Sequence, residues 1–236
     1  MRCRVADLIV EVPEADGLAV RCQEYVWNKE DGADLMICTE FYRREKYDAG
    51  FSEEVIAYIE SAYQFYKALV DFDGLFLHAS AVALNGKAYL FSGPCGMGKS
   101  THTRLWQKLF GDDACVINDD KPALRRMDGK WYAYGTPWCG KDGINANRKV
   151  PLAGICFLKQ APENKIRPLN SFEAMQKILG QTIYKFESAE KLDKMLKSLN
   201  LLLAEIPVYE LENVPEISAV QLSYKTMYNG AQEAGL

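Results

Sequence analysis

The stretch FSGPCGMGKSTHTRLW, residues 91–106, carries the pattern that decides the fold expected for this chain. It matches the spacing GxxxxGK[ST], follows an apolar run, and opens a segment with helical spacing. Glycines in such a strand-loop-helix unit let backbone N–H groups converge on a polyphosphate. The alternative is a glycine-rich turn without a ligand. The predicted nucleotide-contacting residues are Gly93, Pro94, Cys95, Gly96, Met97, Gly98, Lys99, Ser100 and Thr101.

Two of these residues have individual roles in such a loop. Lys99 is expected to reach the β and γ phosphates, and the Ser100 hydroxyl is expected to bind Mg²⁺ or Mn²⁺.

Cys95 lies near the helix N-terminus, which can lower a thiol pKa and suggests a redox switch. We favour a simpler interpretation, in which this cysteine replaces a small residue, because no CxxC partner is nearby.

Composition limits the classes of partner. The 236 residues have a formal net charge of −4, from 28 basic and 32 acidic side chains, and contain no basic block. A nucleic-acid groove is therefore not expected. Seven cysteines without a CxxC pair indicate thiols in a reducing compartment rather than a disulfide framework. No apolar run has the length of a signal peptide or a membrane span, so we predict a cytoplasmic protein without a membrane partner.

The region before the loop predicts a β-rich layer followed by one helix. Strand-like runs at 6–12, 18–26 and 34–41 are separated by Asp-Gly turn signals. A helix with Ser52 as N-cap is expected to extend to about residue 70. Two apolar runs, LFLHASAVAL and KAYLFSG, joined by Asn85-Gly86, then predict a hairpin that leads into the loop.

The region after the loop predicts more strands and then helices. Strands are expected at 114–119, 123–127 and 130–135, with Asp128-Gly129 as the turn between the last two. VPLAGICFLKQ and NKIRPLN predict an antiparallel pair. Helices are expected from 171 to about 183, from 188 to about 203, and from 216 to about 228, with Gly230 ending the last. We predict one domain over 1–236, with a β-rich part at 1–50, a nucleotide-binding core at 52–168 and a helical part at 169–236.

Polar residues at two further positions extend the predicted site. Asp119 and Asp120 end an apolar strand about twenty residues after the loop, where one can hold Mg²⁺ and the other can accept a proton. Taken alone, the pair favours a solvated turn, but its spacing after the glycine loop favours the metal and base roles. His78 is expected on the strand whose hairpin partner leads into the loop, as a core residue or as a ligand or charge stabiliser near the γ-phosphate. His102 is expected at the surface or in a supporting position.

Three short segments follow one another along the chain: HASA at 78–81, GPCGMGKS at 93–100 and NDD at 118–120. In this order they resemble the core motifs shared by HPr kinase/phosphorylase and the ATP-dependent phosphoenolpyruvate carboxykinases. The resemblance covers residues 75–160. It implies an α/β fold with a mixed, largely antiparallel sheet. It also matches His78 to the histidine beside the metal, Lys99 and Ser100 to the phosphate and Mg²⁺ contacts, and Asp119 and Asp120 to the metal and base positions. GTPWCGK and VPLAGICFLKQ resemble small HPr-kinase-like proteins, some of which act in modified-peptide pathways.

The sequence also departs from both families. It has no larger N-terminal lobe and no placeable lysine metal ligand, so oxaloacetate decarboxylation is not expected. The segment GTPWCGKDGINANRK replaces the signature of true HPr kinases, so phosphorylation of HPr is not implied. Lys141 and Arg148 in that segment are candidate clamps for the transferred phosphoryl group or for an anionic acceptor, although a solvated loop suits Arg148 equally well.

The leading functional hypothesis is an ATP-dependent kinase that acts on a hydroxyl of a peptide, protein or small molecule. Asp119 is expected to be the base, with Asp120 and Ser100 holding the metal, His78 and Lys141 assisting, and Lys99 neutralising phosphate. A non-catalytic nucleotide-binding regulatory module and a small carboxykinase-like lyase are the alternatives. The acceptor, the preferred nucleotide and the oligomeric state stay open.

Overall fold

Two sheets contain the strands of the computed structural model, which describes residues 1–38, 47 and 50–236. The smaller sheet has the strand order β1-β2-β3, with a short helix between β2 and β3 in the chain. These elements form an N-terminal layer. Its elements are β1 (Arg2–Val5), β2 (Leu8–Glu11), α1 (Asp16–Arg21) and β3 (Leu35–Met36).

One predicted strand of this layer is wrong. Residues 18–26 form the end of α1 and a 3₁₀ turn over Gln23–Tyr25. Leu18, Cys22 and Tyr25 are buried, while Val20 is 66% exposed. The buried residues 18, 22 and 25 share one face of a helix, so the run follows the helical period and not that of a strand. The predicted run at 34–41 forms a strand only at β3, and residues 39–41 lie outside the described part.

The helix α2 (Glu53–Ala68) joins the layer to the larger sheet. The Ser52 side chain accepts a hydrogen bond from the Val55 N–H, so this residue caps the helix as predicted. Phe65 and Tyr66 on the buried face pack against Trp138, with ring centroids 4.7 and 5.9 Å apart. The helix thereby connects the N-terminal layer to the segment that follows β9.

The larger sheet has nine strands within the described residues, and they pair mostly in antiparallel fashion. The order is β4-β8-β9-β10-β6-β5-β7, while β12 pairs with β10 and β11. Only the pairings of β10 with β6 and with β12 are parallel. The strands are β4 (Gly74–Phe76), β5 (Ala79–Leu84), β6 (Lys87–Ser92), β7 (Ala114–Asp120), β8 (Ala123–Met127), β9 (Lys130–Tyr134), β10 (Lys149–Gln160), β11 (Lys165–Pro168) and β12 (Val208–Asn213).

Helices cover both faces of this sheet, which explains why its central strands are apolar on both sides. On one face, Val82 and Tyr89 pack with Trp106 of α3 (Lys99–Phe110) and Val220 of α6 (Ile217–Glu233). On the other face, alternate strand residues pack against α4 (Ser171–Leu179) and α5 (Ala189–Glu205). The predicted mixed α/β class is confirmed.

The predicted hairpins at Asn85-Gly86 and Asp128-Gly129 are also confirmed. Asn85, Gly86, Asp128 and Gly129 have φ values of 51°, 74°, 51° and 78°. Positive φ at both central residues is the requirement of the type I′ turn that joins antiparallel strands.

Two predictions for the C-terminal third are wrong. The predicted antiparallel partner of β10 is β11, but β12 lies between them, parallel to β10 and antiparallel to β11. The part predicted to be helical therefore contributes a strand to the main sheet. Gly230 does not end α6, because the helix continues to Glu233. A Cβ at residue 230 would lie 1.8 Å from the Tyr209 hydroxyl, so close packing accounts for this glycine.

Of the helices in the described part of the chain, none combines the length and apolar composition needed to span a bilayer.

Candidate active site

Antiparallel pairing brings three distant segments to one edge of the larger sheet. Ala79, the first residue of β5, lies opposite Ser92 at the end of β6 and opposite Asp120 at the end of β7. His78 precedes β5, and the glycine loop, residues 93–100, follows β6. The histidine, the loop and the two aspartates therefore meet at the same edge, although up to 42 positions separate them along the chain.

The glycine loop has a backbone that only glycine adopts readily. Gly93, Gly96 and Gly98 have φ values of 145°, 79° and 93°, and α3 begins directly after Gly98. Pro94, Cys95 and Gly96 are exposed, whereas Lys99 is buried. The predicted strand-loop-helix unit is confirmed as a conformation.

Lys99 is held over the glycine loop. Its Nζ donates hydrogen bonds to the carbonyl oxygens of Gly93, at 2.9 Å, and Pro94, at 3.2 Å. Burial lowers the pKa of this ammonium below its ordinary value, and Asp120 and Asp119 oppose that shift. The side chain thus places a positive charge at the centre of the loop.

Ser100 and Asp119 are directly bonded. The Ser100 Oγ donates to Asp119 Oδ1 at 2.9 Å, and the Asp119 carboxylate is 6% exposed. A hydroxyl and a carboxylate oxygen at this separation form a pair of hard donors at the N-terminus of α3. Thr101, the next residue of the helix, is exposed and lies on the other side of the loop, in the wall of a cavity.

Asp120 forms a second pair with His78. Nε2 of His78 lies 2.8 Å from Asp120 Oδ1, and the Lys121 ammonium also contacts the Asp120 carboxylate. Burial opposes ionisation of Asp120, but the hydrogen bond from His78 and the charge of Lys121 outweigh it and hold the pKa of that carboxyl far below its ordinary value. This carboxyl is therefore ionised throughout the neutral range.

Gln181 fixes the other side of the histidine. Its side-chain oxygen lies 3.0 Å from His78 Nδ1, and its backbone carbonyl accepts a hydrogen bond from the His78 N–H at 2.8 Å. Both ring nitrogens of His78 are thereby engaged, one by a carboxylate and one by an amide. The imidazole is held in a single orientation toward Asp120.

The turn that presents Asp120 is held by buried hydrogen bonds. Asp120 has a φ of 102°, which is uncommon for a residue with a side chain. The Asn118 side chain accepts from the Lys121 N–H at 2.7 Å and donates to the Thr136 carbonyl oxygen at 3.0 Å. The Tyr66 hydroxyl donates to the Lys121 carbonyl oxygen. The segment after β9 therefore fixes the turn after β7.

Lys141 lies elsewhere. It is exposed and lines a cavity of about 510 Å³, together with Arg21, Glu24 and Asp142, between α1 and the segment after β9. Among the described residues its ammonium forms no ion pair with Asp119 or Asp120. Its neighbour Gly140 does contact the site, through a hydrogen bond from its N–H to the Asp119 carbonyl oxygen.

The other cation and the other histidine considered from the sequence, Arg148 and His102, lie outside this cluster. Arg148 is exposed. His102 is buried, at 1% exposure, so the surface alternative is wrong. Its Nε2 lies 3.1 Å from Ser223 Oγ on α6, and burial lowers the pKa of this imidazole to about 3. It is a neutral residue between the glycine loop helix and α6.

The donor set fits a magnesium ion that is shared with phosphate. In the described residues, no three His, Cys, Asp or Glu side chains cluster in a way that holds a metal by themselves. Mg²⁺ commonly takes one or two protein oxygens and completes its shell with water and substrate phosphate. The bonded pair of Ser100 and Asp119 supplies such oxygens beside the glycine loop, so the residues present fit the predicted ion.

Sequence reasoning missed Gln181, Lys121 and Asn118. Lys121 follows the aspartate pair directly, which was the available signal for it. Asn118 belongs to the quoted NDD stretch, but its role depends on contacts with residues 136–138. Gln181 gave no signal, because it falls inside a predicted helix and reaches His78 only through the tertiary fold.

The fold and these contacts define a mixed α/β protein with a glycine-rich strand-loop-helix unit beside a carboxylate pair. The family model described as "SynChlorMet cassette protein ScmC" matches residues 46–214, which is more than half of the chain. The chain belongs to this family. No curated protein matches the sequence.

One solved structure with a similar fold is the Hpr(Ser) kinase/phosphatase from Coxiella burnetii. The two are 12% identical, the match covers 67% of this chain and 95% of that one, and the TM-score is 0.36. The relation is distant, and it carries no argument about activity.

Proposed function

We propose that this protein is a kinase that transfers the terminal phosphoryl group of ATP to a hydroxyl group. The observation that carries the proposal is the convergence of the glycine loop with two bonded pairs, Ser100 with Asp119 and His78 with Asp120. Phosphoryl transfer needs positioning, charge neutralisation and a proton acceptor rather than covalent chemistry. Each of these is available at this edge of the sheet.

The glycine loop and Lys99 neutralise the polyphosphate. Backbone N–H groups of residues 93 and 95–100 and the N-terminus of α3 attract its oxygens. Lys99 exchanges its two carbonyl acceptors for phosphate oxygens, which is a favourable exchange because a charged acceptor forms the stronger hydrogen bond. The residues that the sequence assigns to the nucleotide, from Gly93 to Thr101, keep that role in the proposal.

Ser100 and Asp119 hold Mg²⁺ in this proposal. When bound, the ion neutralises charge on the β and γ phosphates. The remaining carboxylate, Asp120, is left to accept the hydroxyl proton of the acceptor, with His78 and Lys121 positioning it. The assignment expected from the sequence has the two aspartates in exchanged roles, with Asp119 as base. The contact of Ser100 with Asp119 favours the version proposed here.

The acceptor is proposed as a class only, a hydroxyl of a peptide, a protein or a small molecule. Lys141 stays a predicted clamp for the phosphoryl group or for an anionic acceptor, reached from the cavity beside α1. The resemblance to the HPr kinase and carboxykinase core also remains part of the proposal, as does a cytoplasmic location. The resemblance rests on the segments HASA, GPCGMGKS and NDD.

The test incubates the protein with γ-labelled ATP, Mg²⁺ and a library of Ser-, Thr- and Tyr-containing peptides and small alcohols, and measures transfer of the label. We expect label on an acceptor, with loss of at least about 100-fold in Asp120→Asn at unchanged ATP affinity. Lys99→Ala is expected to weaken ATP binding as well, because it removes a phosphate contact. The exposed Asp112 offers a matched control, Asp112→Asn, expected to behave as the wild type.

The possible results separate the candidates. Tight ATP binding with no labelled acceptor would support a non-catalytic module, and nucleotide-dependent decarboxylation of oxaloacetate would support a lyase. An Asp120→Asn variant that transfers normally, beside an inactive Asp119→Asn that still binds Mg²⁺ and ATP, would return the base to Asp119.

A further inference from the structure

A second cavity, of about 460 Å³, lies on the side of the glycine loop that faces away from the aspartates. We call it the base cavity. Loop residues 96–98 and the start of α3 form one wall, and the ends of β10 and β12 form the other. The residues that line it include Met97, Thr101, His102, Asn213, Val214 and Pro215.

Strand order explains the place of this cavity. β6, β10 and β12 are parallel, so their carboxyl ends lie at one edge, and Gln160 is opposite Asn213 at the ends of β10 and β12. Ligands of α/β sheets bind outside the carboxyl ends of parallel strands. β6 ends in the glycine loop, β7 with the aspartates lies on one side of it, and β12 lies on the other. A nucleotide with its terminal phosphate near Asp120 therefore extends toward the base cavity.

The walls suit a flat ring with a polar edge. Met97, Val214 and Pro215 supply apolar surface, and Thr101 supplies a hydroxyl on the phosphate side. Small-molecule sites are lined in this way, by apolar groups with a few polar atoms that fix orientation.

Two buried acceptors in these walls lack donors. Asn213 is 7% exposed, and its Oδ1 has no hydrogen-bond partner, while its Nδ2 donates to the Val214 carbonyl oxygen at 3.3 Å. His102 Nδ1 is also without a partner. Ser223 Oγ donates its proton to the Val220 carbonyl oxygen, so it can only accept from His102 Nε2, which leaves Nδ1 without a proton. An unmade buried hydrogen bond is costly.

We propose that the base cavity binds the adenine ring of the nucleotide, with the 6-amino group donating to Asn213 Oδ1. The inference rests on the proposed function, because it takes the glycine loop as the phosphate site. An asparagine amide is complementary to the amino edge of adenine. A 6-oxo purine has a carbonyl oxygen in place of that amino group, so it places an acceptor against an acceptor.

The test compares equilibrium binding of ATP, inosine triphosphate and inorganic tripolyphosphate in the presence of Mg²⁺. Inosine triphosphate differs from ATP in the 6-oxo group, and tripolyphosphate has no base. We expect the wild type to bind ATP about tenfold more tightly than inosine triphosphate. Leucine is close to asparagine in volume but has no hydrogen-bond acceptor. Asn213→Leu is therefore expected to bring the affinity ratio of ATP to inosine triphosphate near one and to leave tripolyphosphate affinity unchanged. The exposed Asn200 on α5 offers a matched control, Asn200→Leu, with the wild-type ratio.

Equal affinity of the wild type for ATP and inosine triphosphate would overturn the inference, and this measurement needs no variant. A tenfold ratio that persists in Asn213→Leu would overturn it too. If tripolyphosphate still binds normally, either of these two results leaves the proposal of a kinase standing and overturns only the adenine site. Wild-type protein that binds none of the three ligands would overturn both.

Discussion

At the scale of single residues, the candidate site depends on backbone conformations that few residues adopt. Gly98 enters α3 with φ 93° and ψ 18°, and a Cβ there would meet no atom within 4 Å. The constraint is therefore conformational rather than steric. Asp120 has a similar φ, 102°, although it carries a side chain. The hydrogen bond from the Lys121 N–H to the Asn118 side chain holds the backbone in this conformation.

Replacing Gly98 by alanine tests this conformational constraint. A left-handed conformation costs an L-residue about 1–2 kcal/mol, so Gly98→Ala is expected to lower the free energy of unfolding by that amount in urea titrations. Gly17→Ala is the matched control, because Gly17 lies in α1 with no positive φ and no atom within 4 Å of the added Cβ. An unfolding midpoint of Gly98→Ala equal to that of wild type would contradict the argument.

Gln181 is a positioning residue for His78, through its bond to Nδ1. Gln181→Leu is expected to lower phosphoryl transfer about tenfold, as residues that orient a histidine generally do, and to leave the Kd for ATP unchanged. Single-turnover transfer and equilibrium binding separate the two quantities. The exposed Gln176 on α4 provides the control Gln176→Leu. Loss of ATP affinity with unchanged transfer would indicate a structural role instead.

At the scale of elements, β12 and α6 complete the face of the sheet that lies beside the base cavity. Gly154 of β10 and Gly230 of α6 leave room for side chains of the neighbouring element. A Cβ at 154 would lie 3.1 Å from Met227 Cε, and one at 230 would lie 1.8 Å from Tyr209 Oη. The lack of a Cβ at these two glycines therefore allows α6 to pack close to the sheet.

Gly230→Ala is expected to destabilise the protein by about 1–3 kcal/mol, the usual cost of overpacking. Tyr209→Phe in the same chain removes the hydroxyl and leaves the ring carbon at 3.1 Å, so it is expected to restore part of the loss. Urea unfolding of the two single variants and the double variant measures the coupling. Strictly additive effects would show that the two groups do not clash.

At the scale of the whole molecule, the Asp7 carboxylate is one of several polar groups that tie the N-terminal layer to the larger sheet. Asp7 accepts hydrogen bonds from Tyr134 at 2.9 Å and from Lys149 at 2.8 Å. Burial opposes ionisation of Asp7, but these two bonds outweigh it and lower the pKa of the carboxyl below its ordinary 3.8. α1 in the same layer reaches the site segment, where Arg21 donates to the Gly140 carbonyl oxygen at 3.0 Å.

The stability supplied by Asp7 is expected to depend on pH. Because its folded pKa is lowered, the contribution is complete above the unfolded pKa and is lost as the pH falls through the folded value. Asp7→Asn is expected to cost about 1 kcal/mol at pH 7, and the difference from wild type is expected to shrink as the pH falls below the ordinary carboxyl pKa. Urea titrations at pH 7, 5 and 3 measure it. A difference as large at pH 3 as at pH 7 would assign the effect to packing.

Local rules predicted those features whose causes lie within a few residues. The two type I′ hairpins, the Ser52 cap and the strand-loop-helix unit around Gly93 and Gly98 follow from backbone geometry alone. The run at 18–26 failed because its apolar residues fit both periods, and only burial against α2 chose the helix. β12 was missed because its strand partners, β10 and β11, lie about 50 positions earlier in the chain.

The amino-acid sequence by itself determined the glycine loop, the hairpin before it and the aspartates after it, because each depends on short-range conformational preferences. The tertiary structure alone decided that His78 pairs with Asp120, that Ser100 bonds Asp119, and that Gln181 orients the imidazole. It also decided the walls of the base cavity. Contacts between residues tens of positions apart depend on strand order, and strand order is set by packing of the whole chain.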